Sequence, residues 1–336
     1  MNEWLLENLA CPKHKLKLTR DGKHLNCSEG DHYPIVDGIP VLLFDDGRPA
    51  HGHIKRTLEQ VARIQSGESA EDVIPTYSLN DHGVDEFVTH QLPFTCGNLY
   101  FSLQKNLTRY PFPEIRLPAS DGKRLLDLGC SWGRWTIPAA RKGYATVGMD
   151  PDLEGALAAK RIAKQLGIQA DFVVADAAHL PFLDNTFDVV FSFSVLQHLA
   201  KSTVIGSLAE ISRVVSPEGR VLVQFPNRFG VRSMYHQAKN FFQTPNEGTD
   251  VFYWSPAELT REFNFQFGET DLSVDCFFGL NLQATDADLM PLPHRTAIFA
   301  SEVLKKVSGY VPPLRFVADS LYVSAKNNKS SLQPRG

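Results

Sequence analysis

At 336 residues, 43% of them hydrophobic, the chain is long enough for one large domain and a smaller companion, taking roughly 100–200 residues per domain. A formal net charge of −4 offers nucleic acid no electrostatic footprint. The first ten residues carry Glu3 and Glu7 where a secretory leader needs cations, and no apolar run reaches the roughly 18 residues of a membrane span, so the expected setting is the cytoplasm without a membrane partner.

Residues 1–46 alternate short apolar runs (Leu16 to Leu18, Leu25 to Cys27, Ile35 to Leu43) with turn residues, which predicts a small β module. Five cysteines, an odd number, argue against a disulfide framework in a reducing compartment, which leaves metal binding or burial to explain them. In the module, Cys11-Pro-Lys-His14 and Cys27 with Asp31 and His32 form two ligand pairs separated by a hairpin, a pattern suited to tetrahedral zinc. Asp45 to Pro49 has linker composition. Residues 47–118 then read as a connector, helical from Ile54 to Ile64, that covers the main domain.

The main domain is expected over 119–327. Apolar strand candidates at Arg124–Leu128, Ala145–Met149, Ala170–Ala175, Phe187–Phe193 and Arg220–Phe225 alternate with helical segments near Arg134–Lys142, Leu153–Leu166 and Val204–Val215. That alternation predicts an α/β fold, a parallel sheet with helices on both faces. Ser255-Pro256-Ala257-Glu258 opens a further helix, and Leu272–Phe277 and Ser320–Ala325 supply late strands. An aromatic-rich insertion is expected at about 228–254. Residues 225–278 hold 13 aromatics in 54 positions, enough either to line an apolar acceptor site or simply to pack a core. Residues 328–336 have the composition of a disordered tail.

The first strand of the main domain runs into Asp127-Leu-Gly129-Cys130-Ser131-Trp-Gly133 and then a helix, a turn that lets backbone approach a ligand at a helix N-terminus. The dinucleotide pattern G-x-G-x-x-G is not met, which argues against a nicotinamide or flavin oxidoreductase on the same fold. Acidic residues then close successive strands: Asp150, 21 residues after Gly129, and Asp176. Together with Leu180-Pro-Phe-x-Asp184-x-x-Phe187-Asp188 and Val195-Leu-Gln-His198-Leu199, this series resembles class I S-adenosylmethionine (SAM)-dependent methyltransferases of the type 11 kind, over roughly residues 120–227.

The resemblance implies a Rossmann-like sheet with SAM as methyl donor. It places Asp127, Gly129, Cys130 and Gly133 at the methionine end of SAM, Asp150 and Pro151 at the ribose, Asp176 and Ala177 at the adenine edge, and Ser192 at the end of the fourth strand. Arg134 is a candidate for the SAM carboxylate. His198 is the candidate base, with Tyr235 and His236 as weaker ones. The family has glycine where this chain has Ser131. The N-terminal module resembles the zinc-ribbon activator subunit of eukaryotic methyltransferases acting on tRNA, rRNA and a release factor, which implies one structural zinc held by Cys11, His14, Cys27 and either Asp31 or His32.

Residues 1–46 carry five Lys/Arg against eight Asp/Glu, a poor phosphate binder. The expected acceptor is therefore a small apolar or aromatic molecule. An RNA or protein acceptor and a non-catalytic SAM-binding module remain the alternatives.

Overall fold

The computed structural model describes residues 1–47, 52–240, 251–279 and 283–328. Most of the expected tail, part of the expected insertion and the end of the linker lie outside these.

The N-terminal module holds α1 (Glu3–Asn8), capped by the Asn2 side chain accepting from Leu5 N at 2.7 Å, then β1 (Thr19–Asp21), β2 (His24–Asn26), β3 (His32–Val36) and β4 (Ile39–Leu42). The run expected to be one strand from Ile35 to Leu43 is broken by a turn at Asp37 and Gly38, both at positive φ. The connector forms α2 (Gly52–Gln65), α3 (Ala70–Val73) and α4 (Glu86–Cys96).

In the main domain the elements are β5 (Arg124–Leu128), α5 (Thr136–Arg141), β6 (Ala145–Asp150), α6 (Leu153–Gln165), β7 (Asp171–Ala175), β8 (Phe187–Ser192), α7 (Lys201–Val214) and β9 (Val215–Pro226). They are followed by α8 (Val231–Asn240), α9 (Pro256–Phe267), β10 (Thr270–Cys276), α10 (Leu292–Ser308) and β11 (Ser320–Lys326). Helix α9 begins with the capping box expected at Ser255 and Glu258.

Among the described residues eleven strands pair in the order β1-β2-β3-β4-β7-β6-β5-β8-β9-β11-β10. The centre β7-β6-β5-β8-β9 is parallel, and β11 inserts antiparallel between β9 and β10. This is a doubly wound, Rossmann-like sheet, with the strand order reversing at β5. One face packs Val147, Val190, Val223 and Phe225 beneath α7 and α9, and the other packs Phe172 and Val174 beneath α6.

Two features tie the N-terminal module into this sheet. Strand β4 pairs in parallel with β7, Val41 opposite Val174 and Leu42 opposite Ala175. The crossover from β7 to β8, residues 176–186, forms no helix, and α1 occupies the sheet face beside it. Leu5 and Leu9 share a core with Phe182 and Phe187, Ala10 N donates to Pro181 O, and Leu183 N donates to Asn8 O. Trp4 meets Phe187 edge-on at 6.0 Å. Helix α1 went unread in the sequence because six residues show too little periodicity, and what stabilises it is apolar burial against the crossover.

Candidate functional site

The end of β5 delivers Asp127, 1% exposed, with one carboxylate oxygen accepting from Thr136 Oγ1 at 2.6 Å. Its Oδ1 is buried with no hydrogen-bond partner in the protein. Loss of water pushes the Asp127 pKa up to about 7. A buried acceptor of this kind calls for a donor from outside the chain, and the ammonium of an amino acid supplies one.

The loop that follows turns at Gly129 and Gly133, both at φ +82°. At Gly129 a side chain has no room: a Cβ there would lie 2.1 Å from Val195 Cγ2. Ser131, where the motif resemblance leads one to expect glycine, takes a left-handed φ of +45°, a conformation that glycine favours. Its N–H donates to Asp150 Oδ2 at 2.8 Å, while Asp152 N–H donates to Asp150 Oδ1 at 3.0 Å. Asp150 thus orders both loops, and each oxygen keeps a lone pair for a ligand hydroxyl. Burial pushes its pKa up to about 6. Cys130 is buried behind the loop, and Ser192 Oγ ties the ends of β8 and β5 together by donating to Leu128 O at 2.9 Å.

Sequence reasoning missed the frame around this loop because its parts are far apart in the chain. Helix α2 packs against the segment after β6: Thr57 Oγ1 donates to Pro151 O at 2.8 Å, and Arg56 pairs with Asp152 at 2.8 Å, with His53 beside the same carboxylate at 3.5 Å. After β7, Asp176 accepts from Ala178 N–H, Ala177 is buried, and His179 stacks near Phe44 and pairs with Asp46 at 3.0 Å. The strand-end carboxylates expected at the ribose and the adenine therefore lie under a cover formed by the exit of the N-terminal module.

Residues 126–223 match the methyltransferase domain family. Over 108 residues the chain is 32% identical to a ubiquinone biosynthesis O-methyltransferase of Rhizobium etli, an overlap of 32% of this chain and 43% of that protein. A protein of the same name from Brucella anthropi is 34% identical over 108 residues, again 32% of this chain and 43% of the relative. The chain thus spans less than half the length of these relatives. Among solved structures, a SAM-dependent methyltransferase from Methanosarcina mazei aligns with a TM-score of 0.45 at 18% identity, covering 62% of this chain and 93% of that one.

Within the matched stretch, Arg134 makes a buried ion pair that the sequence did not show. Its side chain is 3% exposed and turns away into the cover, donating to Pro111 O at 3.2 Å and Tyr100 Oη at 3.1 Å and pairing with the fully buried Asp286 at 2.9 Å. The guanidinium expected at the SAM carboxylate thus makes an ion pair across 152 residues of sequence, while its buried Nη1 has no hydrogen-bond partner in the protein. His198 ends a single turn (Leu196–His198) after β8, is exposed, and lies 3.3 Å from Gln197 Nε2. Tyr235 and His236 sit on α8, with Tyr235 facing solvent. Of the aromatics of residues 225–278, Phe225, Trp254, Phe263 and Phe267 pack the core, while Phe229, Tyr235 and Phe278 are exposed to solvent.

In the N-terminal module the structure selects among the candidate ligands. Donor atoms of Cys11, His14, Cys27 and Asp31 all lie within 4.8 Å of one another. His14 Nδ1 is 3.6 Å from Cys11 Sγ, 3.7 Å from Cys27 Sγ and 3.1 Å from Asp31 Oδ2. His32 stands apart, exposed and bonded to Asn26 Oδ1 at 2.7 Å.

Proposed function

We propose that this protein transfers the methyl group of SAM to a small apolar or aromatic acceptor. The observation that carries this reading is the loop Asp127 to Gly133, with its buried unpartnered carboxylate oxygen, flanked by carboxylates at the ends of β6 and β7. Bound SAM supplies a methyl group already activated on a sulfonium, so the chain's own work is alignment and exclusion of water.

Asp127 Oδ1 receives the methionine ammonium, Asp150 accepts from the ribose hydroxyls, and Asp176 with Ala177 borders the adenine. His198, just beyond the fourth strand of the domain, takes the proton of an acceptor hydroxyl. A small acceptor is supported by the relatives, whose name places them in ubiquinone biosynthesis.

The raised carboxylates give the binding test a sign. A raised folded pKa contributes stability present below the unfolded value and lost as pH rises through about 6 for Asp150 and about 7 for Asp127. A cation or hydroxyl donor beside the ionised form reverses that cost. SAM affinity, measured by calorimetry, should therefore rise between about pH 5.5 and 7.5, with proton release on binding near the middle of that range. NAD and NADP should give no heat. An affinity independent of pH, or nicotinamide binding in place of SAM, would contradict the assignment.

The four-residue cluster of the N-terminal module is the second part of the proposal. Two thiols, an imidazole and a carboxylate at these separations suit one tetrahedral zinc. Protein purified without a metal-affinity tag should hold about one zinc per chain, and a strong chelator should lower its melting temperature. Zinc far below one equivalent, with melting unmoved by chelator, would show that the cluster is held by hydrogen bonds alone.

A further inference from the structure

Helices α8 and α10 each wear an apolar stripe on the outside. In α8, Val231, Met234, Tyr235 and Ala238 recur at the three- and four-residue spacing of one helical face, and all four are exposed, Tyr235 to 64%. The inward residue is Ser233, whose N–H donates to Asp319 Oδ1 at 2.9 Å. In α10 the inward face holds Ile298, Ser301 and Ser308, with Leu304 packed against the core, while Leu292 (73% exposed), Phe299 (72%) and Val303 (43%) share a second stripe toward solvent, with Tyr310 (90%) just past its end. Core packing accounts for the inward stripe of α10 and leaves the outward one without a partner among the described residues.

The two helices are joined through one short segment of the chain. Arg232 of α8 donates to Phe278 O at 3.2 Å, and Ser301 of α10 accepts from Phe277 N–H at 2.9 Å, so both helices rest on the same segment. Asn227 Nδ2 binds the carbonyls of Phe316 and Ala318, at 2.8 Å each, and brings the exposed Phe229 beside the turn that carries the exposed Phe316. This surface stands at the ligand end of the sheet. Helix α8 follows the end of β9, and Asp286, just before α10, pairs with Arg134 beside the glycine loop.

Charge identifies the occupant. Residues 228–239 contain Arg228, Arg232 and Lys239 and no acid, and residues 292–317 contain Arg295, Lys305, Lys306 and Arg315 against Glu302 alone. The chain as a whole carries −4, so these two segments, with seven cations against one acid, depart from it in sign. A second copy meeting this face would set seven cations against seven. An anionic bilayer meets both the apolar stripes and the cations.

We propose that α8, α10 and the turn at 312–317 dock peripherally on a membrane containing anionic lipids, with the mouth of the site toward the lipid. None of the helices among the described residues is long and apolar enough to cross a membrane, and docking of this kind requires none. The inference stands on the surface itself. On the reading of the site given above, it makes the acceptor a lipid-soluble molecule.

The test is flotation of the full chain with vesicles of phosphatidylcholine alone and of phosphatidylcholine with about one quarter phosphatidylglycerol, at low and high salt. The chain should float with the anionic vesicles, less so at high salt. The double substitution Met234→Glu, Phe299→Glu should weaken binding by roughly tenfold or more, with unchanged melting and SAM affinity, because both side chains already face water. Failure to float with anionic vesicles overturns the proposal, as does a double variant that floats like the parent. A concentration-dependent dimer dissociated by the same substitutions, without vesicle binding, would make this face an interface between copies and overturn it equally.

Discussion

Replacing Arg134 by Ala should lower the stability of the chain by about 3–5 kcal/mol, because it strands the carboxylate of Asp286 in a fully buried position. Tyr100 Oη, 2.5 Å from the same carboxylate, cannot replace the lost charge. The pair joins the loop after β5 to the segment before α10, so its loss should loosen the cover of the site as well as the core. Replacing both partners by apolar residues, Arg134→Met with Asp286→Leu, should recover most of the stability, since the penalty lies in the unpaired charge. Denaturant unfolding of the three proteins gives the comparison. Unchanged stability with lost SAM binding in Arg134→Ala would instead return Arg134 to the SAM carboxylate.

The second large effect is expected at Gly129. Alanine there must hold a left-handed φ of +82°, at a cost of about 1–2 kcal/mol. It must also displace Val195, whose Cγ2, Cγ1 and Cβ would lie 2.1, 2.8 and 2.9 Å from the new methyl, an overlap that rotating the valine cannot clear. Forced crowding of this kind adds about 1–3 kcal/mol. SAM affinity should fall by roughly two orders of magnitude or more as the loop shifts, since about 1.4 kcal/mol is tenfold. Val195→Ala in the same chain should restore part of the loss, and a Gly129→Ala protein that binds SAM like the parent would show that the loop does not approach the ligand.

The sequence was most informative where chemistry and structure are local. Strands β5, β6 and β7 alternate with α5 and α6 at a regular spacing, and the residues that turn the glycine loop are neighbours in the chain, so both could be read directly. Ser131 shows the limit of a motif: the residue departs from the pattern while its backbone does not. Pairings between distant segments could not be read. Arg134 and Asp286 are 152 residues apart, and α1 is a short helix whose role is visible only once the distant crossover from β7 to β8 is seen to lack a helix of its own. The choice between Asp31 and His32 was also beyond the sequence, because adjacent residues at the start of β3 face different ways. Helices α8 and α10 were not among the helical segments read from the sequence, so their outward stripes gave no signal either.

The central claim is transfer of a methyl group to a small molecule. It is tested most directly by incubating the purified chain with methyl-labelled SAM and a cell extract, then separating small molecules and lipids from RNA and protein. The account predicts label in the small-molecule or lipid fraction, dependent on Asp150 and Gly129. Label in RNA or protein, or none in any fraction while SAM binds, would contradict it.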